Sequence, residues 1–365
     1  MKKSVLFSVV ALTASVFADG DMVAAGQRMS GQSQQQTKDN TMMNTVVLTS
    51  ARPESDNGWY LFADALYWHA DVGNADWAER TVSTATSENH TVHHLDFKWS
   101  WGFKAGIGVN MDHDMWDSNL YYTWFHTQNS NAIGLKDVIP AGATQNITTF
   151  VPPADNVKSG KHKWSIHFSM FDWELGRWQY TSKSLALRPH VGIKGGWIHQ
   201  DRKTHHSFQQ SANIVHAHLD NNFWGVGPSA GLNTMWVLGN AGSNMDHRFS
   251  LFGDVAGALM YGHFNNTYVR HVSNSSGSAS HKIKNLTRNL AVPMLQAVLG
   301  LSWDTAFNRG RNHFMMKVGY EFQYWFRQNQ YPVLGDMTST ELTHFSRYSD
   351  DLSLQGLTTE FRFDF

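Results

Sequence analysis

The chain of 365 residues contains no cysteine. That absence removes disulfides, thiolate metal sites and a cysteine nucleophile from any account of its fold or chemistry. Charge is also scarce, at 16% of residues against the usual quarter. The two signs nearly cancel, leaving a formal net charge of -1 with no long basic or acidic block, which argues against nucleic acid as a partner. No apolar run reaches the roughly 18 residues that a helix needs to cross a bilayer. A mean hydropathy of -0.40 likewise excludes a helical membrane bundle. Aromatic residues, by contrast, are abundant at 13%. Low charge, many aromatics and no spanning helix are reconciled in a membrane β-barrel, where only the outer face must be apolar.

Residues 95–110, LDFKWSWGFKAGIGVN, carry this pattern most plainly. Leu95, Phe97, Trp99, Trp101, Phe103, Ala105, Ile107 and Val109 alternate with Asp96, Lys98, Ser100, Gly102, Lys104, Gly106, Gly108 and Asn110. Successive strand side chains point to opposite faces, so the segment has one apolar face and one wet, glycine-rich face. Nine further segments alternate in the same way: 58–70, 118–128, 163–176, 185–199, 223–236, 249–261, 290–304, 313–327 and 352–365. In 163–176 the apolar residues run Trp164, Ile166, Phe168, Met170 and then Phe171, Trp173, Leu175, a change of phase that predicts a β-bulge near Met170.

Short connections (111–117, 177–184, 237–248, 305–312) alternate with long ones (71–94, 129–162, 200–222, 262–289, 328–351). That is the pattern of an up-and-down antiparallel outer-membrane barrel of about ten strands, with short periplasmic turns and long external loops. Twelve strands follow if stretches such as 148–151 or 213–219 add a hairpin. The long connections exceed the usual length for structureless loops, so they are expected to hold some structure. The start reads as a signal peptide over 1–18: Lys2 and Lys3, an apolar core at 5–13, and Val16, Phe17 and Ala18 before the cut. Residues 19–57 are polar and rich in Gln, Ser, Thr and Gly, a disordered periplasmic tail by composition. The barrel occupies 58–365, with both ends on the periplasmic side.

The last residues, TTEFRFDF, alternate up to a terminal Phe365. They resemble the C-terminal signature by which barrel-assembly machinery captures an open strand edge. Together with GWYLFADALYWHADVGNADWA, WSWGFKAGIGVNMDHDMWDSNLYYTWFHT, LRPHVGIKGGWIHQ and NNFWGVGPSAGLNTMW, this ending resembles the major outer membrane protein family of Legionella and of chlamydia-like bacteria. The resemblance implies a pore-forming β-barrel. Better-known members cross-link the envelope through cysteines, and without cysteine that role does not carry over.

The wet faces collect Asp64, Asp96, Lys98, Lys104, Asp172, Glu174, Arg188, Lys194, Asp254, Lys317, Glu321, Arg327, Glu360 and Arg362. A charge facing lipid at the bilayer midplane costs about 2–4 kcal/mol, so these are expected to line the lumen. Trp99, Trp101, Phe103, Phe314, Val318, Tyr320, Phe322, Tyr324, Phe361, Phe363 and Phe365 are expected to face the membrane. Two readings follow. The charges line an open pore, making the chain a porin for passive diffusion of small polar solutes and ions. Alternatively they pair across an occluded lumen, and the chain is a surface structural protein or adhesin. Neither reading needs a cofactor or a metal. His216 and His218 could share a strand face, but nothing at a telling spacing completes a metal site around the histidines. An enzyme is not expected: Asp112, His113, Asp114 and the pair Asp246, His247 fall on short turns, the wrong end for a surface hydrolase. Outer-membrane lipid, the assembly machinery and small solutes are the expected partners, and oligomer state stays open.

Overall fold

The computed structural model describes residues 58–365 apart from 112–113, 138, 151–152, 242–246, 276, 308–311 and 335–344. The expected signal peptide (1–18) and tail (19–57) therefore lie outside the described residues, as do Asp112, His113 and Asp246.

The described chain is all β. Its strands are β1 (Trp59–Val72), β2 (Asp76–Ser83), β3 (Glu88–His94), β4 (Ser100–Asn110), β5 (Trp116–Gly134), β6 (Thr144–Phe150), β7 (Pro153–Ala154), β8 (Val157–Arg177), β9 (Gln179–Tyr180), β10 (Leu185–Phe208), β11 (Ile214–Ala241), β12 (His247–Asn274), β13 (Gly277–Phe307), β14 (Asn312–Leu334) and β15 (Phe345–Asp364). Ten of them, β1, β4, β5, β8 and β10 to β15, pair antiparallel with their neighbours. Pairing of β15 with β1 and of β10 with β11 closes the ring. Each of the ten strands thus has a partner on both sides, which is what allows a sheet to stand in lipid, although toward the long-connection end β13 meets β14 only from Met294 and β5 meets β4 only up to Phe125. The expectation of ten strands holds. The 148–151 stretch does not extend the wall: β3, β2, β6 and β7 form a separate four-stranded sheet. The 213–219 stretch continues β11. The described parts of the long connections are thus largely structured, many of them as continuations of the wall strands.

The outward face is apolar over a limited height. Trp59, Leu61, Trp101, Phe103, Ile107, Leu120, Trp173, Ile193, Trp224, Leu259, Leu299, Tyr320, Phe361, Phe363 and Phe365 all stand exposed on it. Toward the long-connection end the same face turns polar. His69, His126, His167, His199 and His263 follow the last outward aromatics, joined by Asn222 and Asn289. The rings of His126 and His167 stack at 3.9 Å. This step from aromatic to imidazole and amide marks the outer limit of the lipid belt. Strand residues beyond it form an extension outside the membrane.

In that extension the apolar face is the inner one. Val215, Ala217 and Leu219 are buried, while His216, His218 and Asp220 alternate with them outside. The same inversion explains β8. Its ladders with β5 and β10 run unbroken through Met170, so there is no bulge there. Trp164, Ile166, Phe168 and Met170 point into the barrel, and Phe171 and Trp173 point out. The apparent phase change is a change of environment along one regular strand.

Candidate functional site

The lumen has two layers. The outer layer is an apolar septum built from inward side chains of most wall strands. Leu66, Trp68, Phe125, Trp164, Ile166, Phe168, Ile198, Met260, Phe264, Val292, Trp325 and Leu352 are at most 1% exposed. The rings of Phe168 on β8 and Trp325 on β14 meet edge to face at 5.6 Å. These strands stand five places apart in a ring of ten, so the contact crosses the full width of the lumen. Just above, the Arg202 guanidinium on β10 lies 3.4 Å from the Trp164 ring and 4.9 Å from the Tyr331 ring of β14. Gln200 donates to Gln328 at 2.7 Å across the same gap. Trp77 of β2 reaches into this layer and stacks on His162 at 5.6 Å.

Beneath the septum lies a polar cavity of about 150 Å³. Its walls use glycines to make room for rings. A Cβ on Gly108 would come within 2.1 Å of Tyr60, and one on Gly106 within 2.5 Å of Phe62, so these two rings of β1 lie flat over β4. Six carboxylates line the cavity (Asp64, Asp117, Glu174, Asp254, Glu321, Glu360) with four cations (Lys104, Arg188, Lys317, Arg362). Most are partnered. Arg188 donates through Nε to both Asp117 oxygens at 3.0 and 2.9 Å, and through Nη1 to Glu174 at 3.1 Å and Asn233 at 2.7 Å. The Tyr121 hydroxyl donates to Glu174 at 2.8 Å. Lys104 stands 3.5 Å from both Asp64 and Glu321. Glu321 also accepts from Gln296, Gln323 and Thr358 at 3.1, 2.8 and 2.9 Å. Lys317 pairs with Glu360 at 2.9 Å. Charge-assisted bonds of this kind hold their partners firmly when buried. At the short-turn end Arg362 covers the Tyr60 ring at 3.6 Å, and His313 bridges Asp304 and Asp364.

Of the residues expected to line the lumen, Asp64, Lys104, Glu174, Arg188, Asp254, Lys317, Glu321, Glu360 and Arg362 come together in this cavity. Lys194 also points inward, paired with Asp172 at 2.5 Å. Three expectations are corrected. Asp96 and Lys98 are exposed, because 95–99 is not part of β4: it turns Leu95 and Phe97 into the core and leaves the charges in solvent. Arg327 is exposed too. It has φ of 55° at a register break between Trp325 and Asn329, which removes it from the alternation of β14. The residues expected to face the membrane are placed as follows. Trp99 is exposed just before β4, Phe314 and Tyr324 are partly exposed, and Trp101, Phe103, Val318, Tyr320, Phe322, Phe361, Phe363 and Phe365 are exposed. Asp117 was missed as a lumen residue. Its position ends the short connection 111–117 that the sequence predicts, whereas β5 begins at Trp116. Tyr60, Tyr121 and Gln296 were missed because an aromatic or amide facing inward leaves no charge signal on the wet face.

The Legionella pneumophila major outer membrane protein precursor family matches residues 51–365. A comparison with curated proteins finds no match. Among solved structures, the attachment invasion locus protein Ail of Yersinia pestis aligns at 11% identity over 84% of this chain and 98% of its own, with a TM-score of 0.21. A Pseudomonas aeruginosa FadL homologue aligns at 7% identity over 85% and 90%, with a TM-score of 0.24. The Pseudomonas putida toluene transporter TodX aligns at 6% over 84% and 90%, with a TM-score of 0.22. At such scores these likenesses carry no argument about what the chain does. The family match spans the whole described barrel: the chain is an outer-membrane β-barrel that belongs to the Legionella pneumophila major outer membrane protein precursor family.

Proposed function

We propose that this barrel is closed at rest and acts as a non-enzymatic surface protein, structural or adhesive, through the rigid extension it raises outside the membrane. The observation that carries the reading is the septum. Side chains from opposite walls touch at its centre, and those filling it are sealed from solvent. An apolar layer packed in this way is a barrier to hydrated ions, whose dehydration is far more costly than any local rearrangement supplies. In this reading both termini and the short turns are periplasmic, and the strand ending at Phe365 is the edge that the assembly machinery captures before closure.

A second reading, a porin for small polar solutes, is favoured by the cavity beneath the septum. Six carboxylates and four cations around a watery space are the lining a conducting path needs, and the excess of carboxylates would favour cations. It requires the septum to move. Single-channel recording of the refolded protein separates the two. A silent bilayer, with the barrel verified by its heat-modifiable band, supports the closed reading. Steady ohmic conductance at low voltage overturns it in favour of the porin.

A further inference from the structure

Above the lipid belt, the outward face of β10 and β11 carries a cross-strand stack that neither reading uses. The register sets His199 opposite Asn222, Asp201 opposite Asp220, Lys203 opposite His218 and His205 opposite His216. With a period of two, all of these share one face. His218 Nε2 lies 3.2 Å from Asp201 Oδ2 and 3.1 Å from Asp220 Oδ1. The nitrogen is almost out of contact with solvent, so these two carboxylates are its immediate surroundings. A second imidazole approaches the same carboxylates, since one ligand atom each from His199, Asp201 and Asp220 lie within 4.8 Å of one another.

We propose that His199, Asp201, His218 and Asp220 bind a zinc ion. Bonds of about 2.0–2.2 Å from a tetrahedral zinc put its ligand atoms roughly 3.3 Å apart. The two distances from His218 to the carboxylates are already of that size. Two carboxylates and two neutral imidazoles balance the charge of a divalent cation, and imidazole favours zinc over calcium or magnesium. Asn222 contacts Nδ1 of His199 and orients that ring, as outer partners of metal-binding imidazoles do. Lys203 donates to Asp201 at 3.0 Å, so its ammonium is the cation a metal displaces. The bound ion joins β10 to β11 above the membrane, where every ligand is partly open to the medium.

The test is zinc binding by the full, refolded chain in detergent, with free zinc held micromolar by a chelator buffer so that scattered histidines stay empty. One equivalent is expected, and cobalt in its place gives the visible absorption bands of a tetrahedral site. Asp201→Asn/Asp220→Asn lowers zinc affinity by at least about tenfold. His205→Ala/His216→Ala leaves it unchanged. Each variant is first checked for the heat-modifiable band of a closed barrel. If the double Asn variant lacks that band, His218→Gln takes its place with the same expectation. No zinc uptake by the parent chain, or uptake that survives the Asn and Gln changes undiminished, overturns the site.

Discussion

Trp325→Ala tests the septum directly. Trp325 is fully buried and meets Phe168 from the opposite wall. Its indole N–H reaches Gln323 only at 3.3 Å, so most of what the residue contributes is packing. Removing a buried Trp or Phe down to Ala costs about 3–5 kcal/mol, including the cavity left behind. An edge-to-face ring pair adds about 0.5–1.5 kcal/mol beyond burial. Phe168→Ala alone therefore carries a similar loss, and the double variant loses less than the sum by that pair energy. The barrel's closed ladder keeps both variants folded, so equilibrium urea unfolding in lipid vesicles, read by gel mobility, gives all four free energies. The void in the double variant opens onto Gln323 and Glu321, both polar and just below. Conductance absent in the parent is expected to appear there. A coupling below about 0.3 kcal/mol would mean that the two rings act independently, and the account of a septum joined at its centre would fail.

Other outcomes follow from the same structure. Arg188→Ala leaves Asp117 and Glu174 buried without their cation, and a loss of about 3–5 kcal/mol is expected in the same unfolding assay; an effect under about 1 kcal/mol would show the network to be hydrated and weak. In the extension outside the membrane, burial, followed by the charges of His205 and Arg270, lowers the His206 pKa to about 3. The unfolded imidazole takes up a proton near pH 6.5 and the folded one does not, so this contribution to stability is intact above that pH and falls by about 1.4 kcal/mol per unit below it. Protection factors of β8 and β10 amides, with intrinsic base-catalysed exchange divided out, should fall between pH 7 and 5, and His206→Gln should flatten that dependence; an unchanged slope refutes the assignment. Orientation is read by thiol labelling on intact cells, since the chain has no cysteine of its own. An impermeant reagent should reach Ser130→Cys and miss Lys183→Cys, and the reverse pattern would invert the topology.

The ten strands, their order and the outward aromatic face were legible in the sequence, because alternation needs only one apolar medium to be visible. What alternation leaves open is which medium each face meets. In β8 the residues from Trp164 to Met170 are apolar because they fill the lumen, and Phe171 and Trp173 because they meet lipid. The two sets have opposite parity, and a reader who assumes one apolar medium must insert a bulge. Leu95 and Phe97 misled in the same way: they continue the parity of Trp101 and Phe103 but are buried in the core. Arg327 shows the converse, a real register break that leaves no mark in its side-chain pattern. Most of the charged lining was legible because charge has only one affordable side of such a wall. Its closure was not, since it depends on which rings from opposite walls share a height.

In the proposed orientation the inverted extension also governs what a binding molecule meets at the cell surface. The chain presents a pleated wall there, in which every second residue faces the medium. Along 199–208, His199, Asp201, Lys203 and His205 stand outward, while Gln200, Arg202, Thr204 and His206 are buried. Their surface neighbours come from other strands, Lys163 and Lys161 on one side and His218 and His216 on the other. An antibody footprint on this wall is therefore a patch drawn from several distant stretches of chain. Serum raised against a linear peptide from 199–208 is directed in large part at side chains the folded protein hides, so it should bind the closed barrel weakly.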